Sequence, residues 1–222
     1  MAADTVPSAL VPPGADTRAR LRTQMRARRR ALPPREQARA AQALARVFVR
    51  SRLLRPGRRI AVYLRQGSEA DPGRIIELAR ERGCALYLPA ITSYRQARMR
   101  FLRFDATTPL RVNRHGILEP EWAPGAAISV RRLDLILLPL VAADAHGWRL
   151  GSGAGYYDRC LQHLRAGRLW RRPRLIGVGY DFQRVPQLEA APWDVPLDGL
   201  LTDRALYPAR RGVPPEPLSV HE

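Results

Sequence analysis

One apolar run constrains the fold more than any other segment of this chain of 222 residues. The run LDLILLPLVAA extends from Leu133 to Ala143 and is interrupted by Pro139. A helix that crosses a bilayer needs roughly 20 apolar residues, and no run in the sequence approaches that length. We therefore predict that this run forms a fully buried strand and that the protein does not enter a membrane.

Segments with strand and helix patterns alternate along the rest of the chain. Runs of β-branched or alternating apolar residues predict strands at 58–64, 85–91, 99–104, 174–180 and 200–202. Apolar residues at helical spacing, with proline and glycine as boundaries, predict helices on either side of Pro33 and Pro34, at 71–83 and at 155–165. This alternation is typical of an α/β fold. We expect three layers, α/β/α, with a mostly parallel sheet and helices on both faces.

The length and the ends of the chain suggest one domain with two extensions. We expect a disordered lead-in at 1–15, a single α/β domain at 16–206 and a proline-rich tail at 207–222. The N-terminus lacks the basic start and the apolar core of a signal peptide. Cys84 and Cys160 are too few for a disulfide framework or a metal cluster. We therefore expect a cytoplasmic protein, and we expect it to be a monomer.

The positive charge is concentrated in one segment. The net charge is +18, and all 38 basic residues are arginine. Between Arg18 and Arg59 there are 15 arginines and one acid, Glu36. The absence of lysine excludes Schiff-base chemistry and a lysine nucleophile.

Two interpretations of this arginine-rich segment, 18–59, remain open. It can be a polyanion-binding surface, or it can consist of solvated helix faces in an arginine-biased protein. The first helix of this segment has no aromatic residues that could stack on bases, and the segment is not part of a known nucleic-acid-binding module. Nucleic acid is therefore not the expected partner. Some of these arginines can instead serve a smaller anion.

A glycine-rich loop follows the apolar run. The segment Arg149 to Leu161 reads RLGSGAGYYDRCL. Glycines have no Cβ atom, so backbone N–H groups in such a loop can approach and bind an anion, and Arg149 adds a planar donor for phosphate. The glycines that alternate with small residues are Gly151, Gly153 and Gly155.

Bulky and charged residues come directly after these glycines. Asp158 can hold a magnesium ion beside phosphates, while Tyr156 and Tyr157 can stack on a flat ligand or donate a hydroxyl. His146 has no partner at a catalytic spacing, and Cys160 is more typical of a small core residue than of a nucleophile. From the loop alone, a phosphate site and a flexible turn with core tyrosines are both open.

Motifs elsewhere in the chain extend this pattern. The loop segment DLILLPLVAADAHGWRLGSGAGYYDRCL is accompanied by HGILEP at His115–Pro120, YDFQ at Tyr180–Gln183 and WDVPLD at Trp193–Asp198. In their order and spacing, from about Arg18 to Asp203, these motifs resemble the 5-formyltetrahydrofolate cyclo-ligase family, also called methenyltetrahydrofolate synthetases.

The resemblance implies both a fold and a reaction. The fold is α/β/α, and the reaction uses ATP and magnesium to close 5-formyltetrahydrofolate into 5,10-methenyltetrahydrofolate. The formyl oxygen is phosphorylated, N10 of the folate attacks the activated carbon, and ADP and phosphate are released. The folate substrate can carry a polyglutamate tail.

The resemblance also assigns site residues. The family's N-terminal K-x-x-L-R motif, which binds ATP phosphates, matches the segment from Arg18 to Arg22, with arginine in place of lysine. Arg149 and Tyr156 match catalytic positions. The implied ATP-binding residues are Arg18, Arg22, Arg149, Gly151, Ser152, Gly153, Ala154, Gly155 and Tyr156. The implied folate-binding residues are Leu64, Glu69, Glu119 and Tyr156, and the implied magnesium ligands are Asp158 and Asp194.

Several positions depart from the family pattern. Pro72 stands where the family has threonine, and Ala154 stands where some relatives carry lysine. Ala143 replaces a phenylalanine, which either widens the pocket floor or leaves space that Trp148 fills. An active cyclo-ligase is the leading hypothesis. The alternatives are a nucleic-acid-binding protein that uses the arginine-rich segment and a folate-binding relative without turnover, suggested by Arg18 and Ala143.

Overall fold

The computed structural model describes residues 15–122, 125–164 and 173–210. Most of the expected lead-in and the end of the expected tail lie outside these residues. The helices are α1 (Ala15–Ala31), α2 (Pro34–Arg50), α3 (Gly73–Glu81) and α4 (Tyr156–Leu161). The strands are β1 (Arg59–Ala61), β2 (Ala85–Ser93), β3 (Arg98–Phe104), β4 (Leu110–Val112), β5 (Leu118–Pro120), β6 (Ala127–Ile128), β7 (Leu135–Pro139), β8 (Ala142–Ala143), β9 (Arg149–Leu150), β10 (Arg174–Val178), β11 (Gly199–Leu201) and β12 (Leu206–Pro208).

An eight-stranded sheet organises the described residues. The strand order is β12-β11-β10-β7-β1-β2-β3-β6. The five strands from β11 to β2 are parallel to one another, and the outer strands pair antiparallel at both edges. The predicted mostly parallel sheet is therefore confirmed.

The central strand β7 explains the three layers. Residues Leu135 to Leu138 have no exposed surface, and their side chains alternate between the two faces of the sheet. Leu135 and Leu137 pack in the cluster that contains the apolar faces of α2 and α3. Ile136 and Leu138 pack in the cluster that contains α4. The α/β/α arrangement is confirmed. The strand predicted over 133–143 is buried but shorter than expected, because β7 ends at Pro139 and Ala142–Ala143 form β8 in a separate two-stranded sheet.

Proline sets the boundary between the first two helices, as predicted. Pro34 is at the start of α2, where a missing N–H costs no intrahelical hydrogen bond. The helix predicted at 155–165 is shorter than expected, because α4 ends at Leu161 and a 3-10 turn over Gln162–Leu164 follows it. No helix among the described residues has both the length and the apolar character needed to span a membrane.

The sheet continues beyond the expected start of the tail. Tyr207 and Pro208 belong to β12, which pairs with β11. The N–H of Ala209 donates to the Asp198 carbonyl at 3.1 Å, and the N–H of Arg210 donates to the Ala145 carbonyl at 2.9 Å. Residues 207–210 are therefore joined to the domain by backbone hydrogen bonds. A strand of three residues is too short to show a recognisable sequence pattern, so the sequence did not predict it.

The strand order creates a crevice at one edge of the sheet. The chain leaves β1 towards β2 on one side and later returns as β7 on the other side of β1. At such a reversal the loops at the carboxyl ends of the strands diverge and leave space for a ligand. The loop after β1 leaves the sheet at this point, and the chain after β7 forms the β8–β9 pair and then the glycine-rich loop.

Gln183 supports the strand end that borders this crevice. It is fully buried in a 3-10 turn after β10. Its side-chain amide donates to the carbonyls of Leu140 at 2.9 Å and Val141 at 2.8 Å. Its side-chain oxygen accepts the N–H of Tyr180 at 2.8 Å. One side chain therefore satisfies backbone groups from the ends of two neighbouring strands, β7 and β10.

We expect Gln183→Leu to lower the free energy of unfolding by about 3 kcal/mol, because buried backbone groups lose their partners. Urea denaturation followed by circular dichroism measures this change. Gln42→Leu, on the exposed face of α2, is the matched control and should change stability by no more than about 0.5 kcal/mol. Equal stability of the two variants would contradict the bridging role.

Candidate functional site

A cavity of about 520 Å³ lies at the crevice between the β1 and β7 loops. Its volume is in the range of sites that hold drug-sized ligands. Every residue assigned to a site from the sequence lines this cavity: Arg18, Arg22, Leu64, Glu69, Glu119, Arg149, Gly151, Ser152, Gly153, Ala154, Gly155, Tyr156, Asp158 and Asp194. The structure brings all of them together, while the role of each one stays a prediction.

The glycine-rich loop has a backbone that requires glycine at two positions. Gly153 has a φ of +115° and Gly155 a φ of +67°, and both values are strained for residues with a Cβ atom. A Cβ atom at Gly151 would meet open space, so that position leaves the backbone accessible. The loop therefore presents main chain rather than side chains to the cavity.

Arginines from one face of α1 cover this loop. Arg22 donates from Nε to the Gly151 carbonyl at 3.0 Å, and Arg26 donates to the Ser152 carbonyl at 2.9 Å. Burial and the neighbouring guanidinium groups of Arg18 and Arg26 lower the pKa of Arg22. This part of the cavity is therefore strongly electropositive and suited to an anionic ligand.

Three of the arginines that line the cavity were missed in the sequence. The cavity-lining arginines of α1 are Arg18, Arg22, Arg26, Arg29 and Arg30. Steps of three or four residues place side chains on one face of a helix, so the spacing carried the signal. Five of the 15 arginines in the arginine-rich segment thus border a cavity. This arrangement favours the smaller-anion interpretation over a nucleic-acid surface.

Two carboxylates, those of Asp158 and Asp194, lie on the same side of the cavity. Asp158 accepts the N–H of Val195, the residue after Asp194, at 3.4 Å. Asp158 also forms a salt bridge of 2.5 Å with Arg149, and Asp194 forms one of 3.0 Å with Arg18. Each expected magnesium ligand is thus paired with an arginine that is expected to bind phosphate.

The donor set of this carboxylate pair fits magnesium. Protein-bound Mg²⁺ commonly uses one or two carboxylates and takes its other ligands from water and substrate phosphates. Among residues 15–122, 125–164 and 173–210, no group of three or more His, Cys, Asp or Glu side chains could hold a metal. Asp158 and Asp194 therefore fit an ion shared with phosphates, rather than one enclosed by protein ligands.

The side chain of Arg149, a residue of β9, is held by two internal contacts. It is 5% exposed, and its two terminal nitrogens donate to the Val195 carbonyl and to Asp158. A guanidinium with two fixed contacts loses little further freedom when it binds an anion. Its position next to the open loop fits the expected contact with phosphate.

Glu69 lies on the other side of the cavity, in the loop after β1. Its carboxylate accepts the N–H of Gln66 at 3.2 Å. Burial raises the pKa of Glu69, and this effect exceeds the opposing effects of the Gln66 N–H, Arg29 and Arg26. A carboxyl of this kind can exchange a proton with a bound ligand closer to neutral pH than an exposed one.

Glu119 already has partners within the protein. It is 1% exposed and accepts from the Ile91 N–H at 2.9 Å, Asn113 at 3.0 Å and Arg111 at 3.1 Å. These bonds hold the β4–β5 hairpin against β2. The contact with a pterin that the resemblance implies stays a prediction.

Aromatic side chains also line the cavity, while Cys160 packs against the core behind it. Tyr156 lies with its hydroxyl 3.4 Å from His115 Nε2, while burial raises the pKa of Tyr157. Burial also raises the pKa of Cys160 to about 11, which fits the predicted core role because the thiol stays protonated. Trp193 was missed in the sequence, although it lines the cavity and is 66% exposed.

Ala143 does not form the floor of the cavity. It is fully buried in the core cluster on the α4 side of the sheet, whereas residues 139–141 line the cavity at the end of β7. Trp148 packs in a separate cluster with Val141 and Leu150. The missing aromatic ring therefore changes the core behind the site rather than the cavity surface.

Comparisons with known proteins show the family of this chain. The model of the 5-formyltetrahydrofolate cyclo-ligase family matches residues 15–203. The chain is similar to the 5-formyltetrahydrofolate cyclo-ligase of Escherichia coli (strain K12), at 34% identity over 185 residues, which cover 82% of this chain and 98% of that protein. The corresponding enzyme of Mycolicibacterium smegmatis is 31% identical over 192 residues, with 85% and 94% covered.

Solved structures show the same similarity. The 5,10-methenyltetrahydrofolate synthetase of Aquifex aeolicus superposes with a TM-score of 0.73 at 26% identity, over 92% of this chain and 99% of that one. The synthetase of Mycoplasma pneumoniae superposes with a TM-score of 0.65, also at 26% identity, over 84% and 98%. The sheet and the loops that form the cavity thus belong to a fold shared with these proteins.

We expect Glu69→Gln to raise the melting temperature at pH 7. A raised pKa means that the folded protein holds the proton more tightly than the unfolded chain, so the ionised carboxylate destabilises the fold. The loss of stability caused by the ionised carboxylate is absent below about pH 4 and grows as the pH rises through the folded-state pKa of Glu69. Glutamine cannot ionise, so the variant does not lose this stability. Melting curves from pH 4 to 8 measure it. Glu121→Gln, at an exposed site, is the control, and a Glu69→Gln variant that melts earlier at pH 7 would refute this account.

Proposed function

We infer that this chain, which belongs to the 5-formyltetrahydrofolate cyclo-ligase family, closes 5-formyltetrahydrofolate to 5,10-methenyltetrahydrofolate with ATP as its second substrate. The observation that carries the proposal is the single cavity lined by all the residues that the family resemblance assigns. One side of this cavity has cations and open main chain, which suit a triphosphate. The other side has Leu64 and Glu69, which suit a flat ligand with polar edges.

The reaction needs activation of an amide. A formyl group on nitrogen is a poor electrophile, and its oxygen is a poor leaving group. Transfer of the γ-phosphoryl group breaks the bond from phosphorus to the ADP oxygen, which keeps the electron pair, and forms a bond to the formyl oxygen. N10 then attacks the activated carbon and loses its proton, and the bond from carbon to oxygen breaks as phosphate leaves. Attack within one molecule is favoured by proximity.

This chemistry requires alignment and charge stabilisation more than a nucleophile on the protein. Arg22 and Arg26 hold the glycine-rich loop in position through its carbonyls, which leaves the loop's N–H groups for the phosphates. Arg149 is preorganised by its contacts with Asp158 and the Val195 carbonyl. The hydroxyl of Tyr156, beside His115, is placed to orient a ligand at the border between the two sides.

Metal binding fits the same arrangement. Magnesium bound at Asp158 and Asp194 would neutralise charge on the phosphate oxygens. Arg149 and Arg18 pair with these two carboxylates, so the cations expected to contact phosphate lie beside the carboxylates expected to hold the metal.

A direct assay tests the proposal. The purified protein is incubated with 5-formyltetrahydrofolate and Mg-ATP, and the methenyl product is followed by its strong near-ultraviolet absorbance. Product must form with ATP and not without it, together with ADP. Folate binding without ATP consumption would indicate a relative that lacks turnover, and the proposal would then be wrong.

We expect Asp158→Asn and Arg149→Ala each to lower kcat/KM by about 100-fold or more, because each removes a preorganised charge from the phosphate side. Steady-state assays of the methenyl product measure the loss, and melting curves verify that the variants are folded. Arg46→Ala, at an exposed position of α2, serves as the control and should retain full activity. Undiminished activity in either site variant would reject the role given to that residue.

A further inference from the structure

Arg29 is a buried cation for which the protein offers little compensation. It projects from α1 into the cavity lining and is only 7% exposed. Its Nε is buried and has no hydrogen-bond partner. Its Nη1 donates to the Leu140 carbonyl at 3.4 Å, but that carbonyl already accepts a shorter bond of 2.9 Å from Gln183.

The surroundings of Arg29 lack a bound counter-ion. In the described part of the chain, no carboxylate forms a salt bridge with it. Burial lowers the pKa of Arg29; the carboxylate of Glu69 opposes this effect and the guanidinium of Arg26 adds to it. A buried charge without a paired partner is strongly unfavourable. An anionic ligand group would therefore complete this site.

The position of Arg29 along α1 indicates which anion it meets. Arg18 contacts Asp194, Arg22 contacts Gly151 and Arg26 contacts Ser152, so the row of arginines crosses the phosphate side of the cavity. At 1.5 Å per residue, Arg29 lies about 16 Å along the helix from Arg18. Arg29 is the buried one of the five cavity-lining arginines of α1. It contacts the Leu140 carbonyl at the end of β7 and interacts electrostatically with Glu69.

We propose that Arg29 binds the phosphoryl group while it passes from the nucleotide to the formyl oxygen, at the junction of the two substrate regions. This inference rests on the proposed function. The guanidinium donates to non-bridging oxygens of the phosphoryl group while the bond to the ADP oxygen breaks and the bond to the formyl oxygen forms. It stays on that phosphate until the bond from carbon to oxygen breaks and phosphate leaves.

This role predicts a specific kinetic pattern. An interaction made mainly in the transition state changes kcat, whereas one made equally with bound substrates changes KM. Arg29→Met should lower kcat by about 100-fold or more, with KM for ATP and for 5-formyltetrahydrofolate changed by less than about threefold. Arg29→Lys should recover part of the rate, because an ammonium keeps the charge and lacks the planar pair of donors.

A structural role for Arg29 predicts that Arg29→Met lowers the melting temperature of the protein without ligand. The proposed role predicts the opposite: removal of an unpaired buried charge should leave this melting temperature unchanged or raise it. Arg28→Met is the matched control: Arg28 is an exposed neighbour on the same helix, so this variant should keep kcat within about twofold.

Inorganic phosphate provides a readout that does not depend on turnover. A ligand that binds only the folded state raises the melting temperature. Phosphate should raise the melting temperature of the wild-type protein and of Arg28→Met, and it should raise that of Arg29→Met by less than half as much. Sodium chloride at the same ionic strength separates binding of phosphate from general screening.

The inference is overturned if Arg29→Met keeps wild-type kcat or keeps the full phosphate-induced shift. It is also overturned if Arg29→Met melts earlier and Arg29→Lys restores melting temperature and rate together, because that pattern indicates a structural role. Absence of methenyl product from the wild-type protein is a different result. It refutes the proposed function, and the phosphate shift then decides by itself whether Arg29 is an anion site.

Discussion

Burial of the first four residues of β7 is the constraint on which the rest of the structure depends. Its residues Leu135 to Leu138 alternate between two apolar clusters, so helices must cover both faces of the sheet. Because β1 lies beside β7 and the chain runs from β1 to the opposite side, the loops after these strands diverge. The cavity is a consequence of this arrangement, and its floor is the end of the buried strand itself.

Balance of charge is the second principle of the site. Arg149 and Arg18 are paired with Asp158 and Asp194, and loop carbonyls accept from Arg22 and Arg26. A site that handles a polyanion needs many cations, and in the absence of ligand these cations need partners of their own. Most of the cavity arginines have them. Arg29 is the member of the row with an unpartnered buried nitrogen, which is why we assign it to the transferred group.

Much of the fold and of the site was predictable, for identifiable reasons. Long apolar runs, helical spacing and proline boundaries located the buried strand and the first helices. Strands of two or three residues, such as β4, β6 and β12, carry no periodic pattern and were missed. Arg26, Arg29 and Arg30 were missed because an arginine-rich helix offers many cations in sequence. Their spacing of three or four residues marks one face of α1, but only packing shows that this face borders the cavity.

The sequence by itself determined the alternation of strands and helices, the glycines that permit a left-handed backbone in the loop, and the family to which the motifs point. These properties are local, because backbone sterics and periodicity act over a few residues. The tertiary structure decided which charges meet: the pairing of Asp158 with Arg149, the three internal partners of Glu119, the position of Ala143 behind the cavity and the isolation of Arg29. Such contacts join residues that are far apart in the chain, so no local sequence pattern encodes them. The energy of a charged group depends on its burial and on its partners, and both are set by the tertiary structure.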